Sequence, residues 1–375
     1  MKNLQINVLR GENKIGENLI EITDGTTRIL LECGVALCET DETRAKEDEV
    51  AKTEYDGVIV SHCHADHSGL LKRKLCAKKI FMGKATYKTL EYYGGIHSEN
   101  LSKIGHYKSE ESFYIGEIKI TPHLCDHSAY DSYMIEVAKG DDRVLYTGDF
   151  RANGRKNFSA FLERISSRVE CLITERTNLR LANETEKDVE EKAVTLMREY
   201  DRIFILQSTL NVDRTVSFYR ASVRTGKVFI MSLPCANVGG MYENIPNPLT
   251  FSGCYTYLKS KQSNEKYQEV KHTYESKLIG RKEIAQKRKF VMQIHSGMLG
   301  YLQKMAQERS LEGSLLIYSM WQGYKEGMEE FLDGVKALGI KMVDLHVSGH
   351  ADRQTIGKLI RKTCPKEIIM VHCEK

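Results

Sequence analysis

The sequence predicts an α/β protein built in two parts, and three observations predict it. The first third is dense in short strands. Near residue 185 the pattern changes to apolar strands alternating with amphipathic helices. Near residue 343 it returns to a strand that ends in a histidine. Apolar strands alternating with helices imply a parallel sheet covered on both faces. With 375 residues, 41% of them hydrophobic and 28% charged, the chain carries ample apolar material for a large core.

Taken in order, residues 18–23 and 27–32 flank Asp24-Gly25, a dipeptide that closes hairpins. Residues 57–60 form a short apolar run that leads directly into a histidine cluster. Further strands are expected at 79–82, 117–121, 132–137, 143–147 and 169–174, with helices at 68–75 and 85–93. Strands dominate and helices decorate them, as in one half of an α/β sandwich. A charged helix at 184–200 then precedes a strand at 202–206, a helix at 212–224 and a strand at 227–231. Strands at 290–294 and 315–318 and helices at 298–307 and 326–338 complete the alternation. The last stretch reads as a strand at 342–348, a helix at 352–361 and a strand at 367–371. No internal repeat or low-complexity segment interrupts it.

Charge excludes one class of function. Lys+Arg is 55 and Asp+Glu is 51, so a net charge of +4 rules out a histone-like polycation. A local basic surface is still open. Residues 255–290 hold eight Lys and two Arg against four Glu, a net +6 that leaves about −2 for the rest. A solvated lysine face and a nucleic-acid-facing surface are equal readings of that stretch. Tyr255, Tyr257, Tyr267 and Tyr274 lie in or beside it and offer rings on which bases can stack. Ten cysteines without a C-x-x-C pair, an N-terminus without an apolar leader core, and no run of membrane-spanning length predict a cytoplasmic protein with free thiols. No membrane partner is expected, and the residues specify no oligomeric state.

Chemistry concentrates in Ser61-His62-Cys63-His64-Ala65-Asp66-His67. Side chains alternate along an extended chain, so His62 and His64 point to one side and Cys63 to the other. Asp66 and His67 fall at the mouth of the following helix and can face a second ion. Imidazoles and carboxylates of this kind suit zinc or a similar borderline metal. The cluster alone cannot close two sites. Further candidates stand at strand ends or turns: Asp126-His127-Ser128, Gly148-Asp149-Phe150, and His372.

These residues carry a resemblance. The H-x-H-x-D-H run, followed by His127 and by Asp149 in Tyr146-Thr147-Gly148-Asp149-Phe150-Arg151, resembles the ligand motifs of the metallo-β-lactamase fold. The β-CASP nuclease branch, and within it the ribonuclease J group, is the nearer match. Residues 11–18 resemble that group's glycine-rich opening, and Leu172-Ile173-Thr174-Glu175-Arg176-Thr177-Asn178 resembles its acidic motif A. Ser348-Gly349-His350-Ala351 resembles motif B, and Val371-His372-Cys373-Glu374 resembles motif C. The resemblance implies an αββα sandwich from residues 1–184 and 343–375, with a parallel-sheet β-CASP domain at 185–342 inserted as a clamp.

Position by position it implies two divalent ions, zinc or alternatively manganese. His62, His64, His127 and Asp149 would hold one; Asp66, His67, His372 and the shared Asp149 would hold the other. A hydroxide bridging the ions would attack phosphorus, with Asp66 accepting a proton and His350 stabilising charge or protonating the leaving oxygen. Glu175 would orient His350 or a ligand. Ser208 and Asn211, before a helix, and Ser348 are candidates for contacting a substrate phosphate. His123 competes with His127, but Ser128 and Asp131-Ser132 match the pattern and favour His127. The histidines at 97, 106, 272, 295 and 346 fall outside any ligand pattern.

The implied activity is metal-dependent hydrolysis of RNA or single-stranded nucleic acid. A dinuclear hydrolase of small esters, thioesters or lactones is the alternative enzyme, and a catalytically quiet nucleic-acid-binding scaffold is the alternative outside enzymes. Four departures qualify the resemblance. Glu32 stands where the family has aspartate, and Cys373 where it commonly has glycine. Residues 235–285, including most of the basic stretch, have no clear counterpart. The sequence also stops three residues after His372, where ribonuclease J continues.

Overall fold

In the computed structural model, which describes residues 3–178, 180–242, 245–258 and 265–373, the chain opens on the expected hairpin. It forms two compact units, Met1–Asn183 with Gly349–Lys375, and Glu184–Ser348.

The first sheet of the first unit has the order β1 (Gln5–Arg10), β2 (Leu19–Thr23), β3 (Arg28–Leu31), β4 (Gly57–Val60), β5 (Ile80–Gly83) and β6 (Ile104–Tyr107). Between β2 and β3 the Asp24 Oδ1 accepts from Thr26 N at 2.9 Å and Thr27 N at 2.6 Å, and Gly25 takes φ +88°. From β3 onward the strands are parallel. The second sheet contains β7 (Phe113–Ile115), β8 (Ile118–Cys125), β9 (Ser132–Lys139), β10 (Asp142–Tyr146) and β11 (Cys171–Glu175). The inner faces share one core, with Ile20, Ile29, Leu31 and Ile59 against Ile120, Ile135, Val137 and Ile173. Each outer face carries a helical layer. Val50 and Ala51 pack with Val58 and Val60 on one side; Phe161, Ile356 and Leu359 pack with Met134 and Leu172 on the other. The αββα sandwich follows from these three clusters.

Several helices of this unit depart from the sequence reading: Asp41–Lys52, Ser98–Leu101 and Phe158–Arg164 were not expected, and the helix at 68–75 differs. The helix Asp41–Lys52 was invisible to hydrophobic periodicity because only Thr43, Val50 and Ala51 of its twelve residues are buried. A capping box at Thr40 and Thr43 starts it. The helix expected at 68–75 is a single turn, Ala65–Ser68, followed by a tighter turn, Gly69–Lys72. Gly69 is pressed against Val35, where an added Cβ would lie 2.6 Å from a methyl carbon.

The second unit is one parallel sheet of β12 (Arg202–Leu206), β13 (Val228–Ser232), β14 (Cys254–Tyr257), β15 (Phe290–Ile294), β16 (Leu315–Tyr318) and β17 (Lys341–Asp344). Its spatial order is β14-β13-β15-β12-β16-β17, and apolar clusters cover both faces. Because β17 pairs with β16, residues 343–348 belong to this unit and not to the closing segment that the sequence suggested. The final strand, β18 (Glu367–Val371), joins the first unit in parallel with β11.

Part of the basic stretch, residues 259–264, lies outside the described residues. Tyr257 and Tyr274 are core residues, not stacking platforms: their hydroxyls donate to Gln293 O at 2.8 Å and Ala236 O at 2.9 Å. Cys38, Cys76 and Cys364 are exposed, while six of the other thiols are buried. No helix among the described residues is long and apolar enough to cross a membrane.

A buried ion pair ties two helices of the second unit. Arg214, on Val212–Arg224, meets Glu186, on Glu186–Glu199, through Nε–Oε2 and Nη2–Oε1 contacts of 3.0 Å each, with both side chains fully enclosed. The Arg214 Nη2 also donates to Val347 O at 3.1 Å. Removing one partner leaves a buried charge without its counterion, which costs about 3–5 kcal/mol. Glu186→Ala should lower stability by that amount in urea unfolding followed by circular dichroism, whereas Glu184→Ala, at an exposed ion pair, should change it by less than about 1 kcal/mol.

Candidate metal centre

Six strands or their following turns deliver polar side chains to one region of the first unit. β4 leads into Ser61 and His62, β8 into Asp126 and His127, β10 into Asp149, and β18 into His372, while β11 ends at Glu175. β3 ends before Glu32, which takes φ +65°. Gly148 and His372, at φ +53° and +51°, turn the chain sharply at two of these ends. Strands held by a core on both faces fix such positions better than loops do.

The turn that carries Asp66 and His67 is braced by backbone bonds. Cys33 N donates to His67 O at 2.9 Å, Val35 N to Ala65 O at 3.1 Å, and Asn18 N to Asp66 O at 3.1 Å. Between them, a Cβ on Gly34 would fall 1.8 Å from Asp66 O. Only glycine permits this approach.

The ring nitrogens converge in two overlapping sets, His62–His64–His127–Asp149 and Asp66–His67–Asp149–His372. His62 Nε2 lies 3.0 Å and His127 Nε2 3.2 Å from His64 Nδ1. His372 Nε2 is 2.9 Å from Asp66 Oδ2, and His67 Nε2 is 3.4 Å from Asp149 Oδ2. The outward nitrogens are held in turn. His127 Nδ1 donates to Gly349 O at 2.7 Å, and His67 Nδ1 to Glu32 Oε1 at 3.2 Å. The Thr177 hydroxyl donates to His372 O at 2.8 Å, so its oxygen accepts from His372 Nδ1 at 2.6 Å. These outer contacts fix the orientation of each ring and turn its other nitrogen towards the ligand sets.

This arrangement fits a divalent cation on physical grounds. Three mutually facing imidazole nitrogens leave lone pairs opposed, whatever protons they share. Asp149 Oδ1 is buried and accepts no hydrogen bond among the described residues. Burial, then neighbouring rings, hold His62 and His127 well below the usual histidine range, and burial lowers His64 as well. Neutral imidazole is the form that binds metal. Burial alone would raise Asp149, but His372, His67 and His350 outweigh it and keep the carboxyl well below its ordinary value. Nitrogen and oxygen donors of this mix suit zinc, and manganese at the more oxygen-rich set.

Glu175 and His350 form the next layer. Glu175 Oε2 accepts from His350 Nδ1 at 2.8 Å, and its Oε1 accepts from Phe150 N at 2.9 Å, beside Asp149. The one carboxylate thus orients both His350 and the turn that bears a candidate ligand. Burial works against a proton on His350, yet Glu175 and Asp149 more than offset it and push the ring up to about 9.

Every residue expected at the ligand positions is brought into this region. His123 is not: its Nδ1 pairs with Glu110 Oε2 at 2.9 Å. Cys63 packs against the apolar cluster under β4, away from the rings. Glu32, a departure from the family pattern, is fully buried and reaches both His67 and Ser61 N, the latter at 3.0 Å. The longer side chain therefore occupies the supporting place. Ser208, Asn211 and Ser348 lie in the second unit. Asn211 Oδ1 caps Val212–Arg224 by accepting from Arg214 N at 3.2 Å, and Ser208 Oγ accepts from Leu210 N at 3.3 Å. Thr177, the Gly349 carbonyl and Asn18, whose Nδ2 approaches His67 Nε2 at 3.3 Å, are supports that sequence reasoning did not find. Thr177 sits inside the quoted acidic motif, which was the available signal.

Residues 27–191 match the model of a beta-lactamase superfamily domain, and residues 335–375 match a Zn-dependent metallo-hydrolase RNA specificity domain. Among curated proteins, the chain is 24% identical to "Ribonuclease J" of Mycobacterium tuberculosis, over 60% of this chain and 43% of that one. It is 23% identical to "Transcription termination factor FttA" of Methanothermobacter thermautotrophicus, over 46% of this chain and 31% of that one. The aligned part thus spans less than half the length of either relative. A crystal structure of a protein of unknown function from Enterococcus faecalis V583 shares the fold. Its TM-score is 0.78 at 19% identity, and the match covers 100% of this chain and 94% of that one.

Glu32 tests the supporting layer. Loss of such an outer carboxylate typically costs about 10–100-fold in metal affinity. Glu32→Gln should release a bound divalent metal to a chelator at roughly that much lower chelator activity than the parent protein, and an unchanged competition curve would contradict the role given to Glu32.

Proposed function

Because the chain belongs to the β-CASP branch of the metallo-β-lactamase-fold hydrolases, we propose that it is a metal-dependent phosphodiesterase acting on RNA or single-stranded nucleic acid. One observation carries the reading. His350, within the segment that matches an RNA specificity domain, stands with its Nδ1 3.7 Å from Asp149 Oδ2, at the shared corner of the two ligand sets. Hydrolysis of a small ester needs the ligands but not this additional ring.

In this reading His62, His64, His127 and Asp149 hold one zinc ion, and Asp66, His67, Asp149 and His372 hold a second. When bound, such a pair neutralises phosphate charge and brings the pKa of water towards neutrality. The protein's own residues do the rest. Asp66, kept ionised by His67 and His372 against the effect of burial, is the proton acceptor on the attacking side. His350 carries a proton at neutral pH and gives it to the departing oxygen. Glu175 holds the ring by Nδ1 and balances its charge, leaving Nε2 to face the substrate. In the second unit, Ser208, Ser348 and the amide groups at the start of Val212–Arg224 are proposed to contact phosphate oxygens; the Asn211 side chain serves as the cap of that helix.

The test uses the purified protein, its zinc and manganese content by elemental analysis, and three substrates: 5′-labelled RNA, single-stranded DNA and a chromogenic lactone. The nucleic acid should be cut and the lactone spared. His350→Ala should lower nucleolytic turnover by about 10²–10⁴-fold, the usual size of a general-acid contribution, with metal content unchanged. Lactone turnover without nuclease activity would sink the proposal.

A further inference from the structure

Two residues of the lysine-rich stretch, Arg288 and Lys289, lie at the amino ends of the second unit's strands. The register of the parallel sheet sets this up. Val228 of β13, Phe290 of β15 and Arg202 of β12 lie abreast, so the residues before them, Lys227, Lys289 and Asp201, form a row across three adjacent strands. Neighbouring strands are about 4.8 Å apart, so these side chains cannot avoid one another.

Three cations share the single carboxylate of that row. Lys227 Nζ and Lys289 Nζ each lie 3.9 Å from Asp201 Oδ1, and Arg288 Nε lies 3.6 Å from Oδ2. Two more cations stand close by with only carbonyl partners among the described residues. Arg202 donates through Nη2 to Glu312 O at 3.0 Å and through Nη1 to Ser310 O, and Arg309 Nη1 donates to Gln286 O at 3.3 Å. Three positive charges thus share one carboxylate, with Arg202 next to it in sequence and Arg309 near Arg202. Burial chiefly lowers Lys227, with Asp201 acting against it and Lys289 adding to it; burial and then Arg309 lower Arg202, against Asp201. Arg288 is 82% exposed and Lys289 49%, while Lys227 is 3% exposed beneath them, so the cluster has a buried cationic floor and an accessible rim. A solvated face would leave each lysine in water, whereas here a buried Lys227 shares its one carboxylate with two further cations.

We propose that this cluster of Lys227, Arg288, Lys289, Arg202 and Arg309 is an anion-binding surface for the phosphate backbone of single-stranded nucleic acid. It would engage a strand in addition to the phosphate at the metal centre. The proposal rests on the nuclease reading, which supplies a polyanionic substrate long enough to reach a second surface. Phosphates spaced along one chain can engage several of these cations at once, and each pairing releases condensed counterions.

The experiment compares the full chain with Arg288→Glu/Lys289→Glu and, as a charge-matched control, Lys304→Glu/Lys336→Glu. Binding of a 5′-labelled 20-nucleotide RNA is followed by fluorescence anisotropy across a salt series, and cleavage is measured on that RNA and on a dinucleotide. For single strands, the slope of log K against log salt falls by about 0.7 for each phosphate that the protein no longer neutralises. The rim variant should bind RNA at least about tenfold more weakly, with a slope shallower by about 0.7–1.4, and should cut the dinucleotide at the parent rate. The control should match the parent throughout. If the parent binds RNA and the rim variant binds it with the same affinity and slope, the cluster is not a nucleic-acid surface. If instead an acidic peptide competes with the parent's rim while RNA does not, the partner is a protein. Failure of the parent to bind RNA or cut either substrate would overturn the nuclease reading itself, a result distinct from loss of the rim's effect alone.

Discussion

Opposed lone pairs at the ends of β4 and β8 are the constraint around which the first unit is arranged. Ring nitrogens of His62, His64 and His127 face one another at 3.0–3.2 Å, with His62 and His127 buried and His64 partly so. Left to themselves such groups would rotate apart or take up protons. Two of the three rings are fixed from behind: a carbonyl oxygen at Gly349 holds His127 and a serine hydroxyl at Ser61 holds His62. Burial of polar atoms without partners costs several kcal/mol. A divalent cation held by these residues would offset that cost.

Much of the fold serves to bring these supports together. Glu32 leaves β3 and reaches across to His67 and to the backbone after β4, linking two neighbouring strands at their ends. Glu175 does the same on the other sheet, joining the turn after β10 to His350. One buried carboxylate per sheet is therefore devoted to orientation. The excursion of the chain into the second unit is closed off at its base. Asn183 Nδ2 donates to His350 O at 3.0 Å and Asn183 N to Asp352 Oδ2 at 2.7 Å, so the exit and return points of the excursion are stapled together next to a candidate catalytic ring.

What could be read from sequence follows the strength of the local signal. The inner strands were legible because they are short apolar runs bounded by turns, and the ligand run was legible because four donor residues in six positions follow one of them. The helix Asp41–Lys52 was not, since its burial rests on a few small side chains and its start on a threonine capping box. β14 and the helix Leu233–Gly240 also escaped, one being four residues long and the other opening with Leu-Pro and ending in paired glycines. The supports were harder still. Thr177, Gly349 and Asn18 act through a hydroxyl, a carbonyl and an amide whose partners lie far away in sequence, and no spacing rule encodes such a meeting. Tyr257 and Tyr274 show the converse hazard, because composition suggested stacking rings where packing made them core.

The return of β18 to the side of β11 has a consequence for biogenesis. Asp66 and its partner His372 are separated by 306 positions. During synthesis the early histidines emerge first, and the sheet that should carry the last one has an empty edge until the whole second unit has been threaded out. A ribosome-bound chain consequently owns a partial chelate that can sample metal without enclosing it. The two ligand sets together can be completed only after β18 has emerged, so the wiring of the fold defers closure of the centre until the whole second unit has been synthesised.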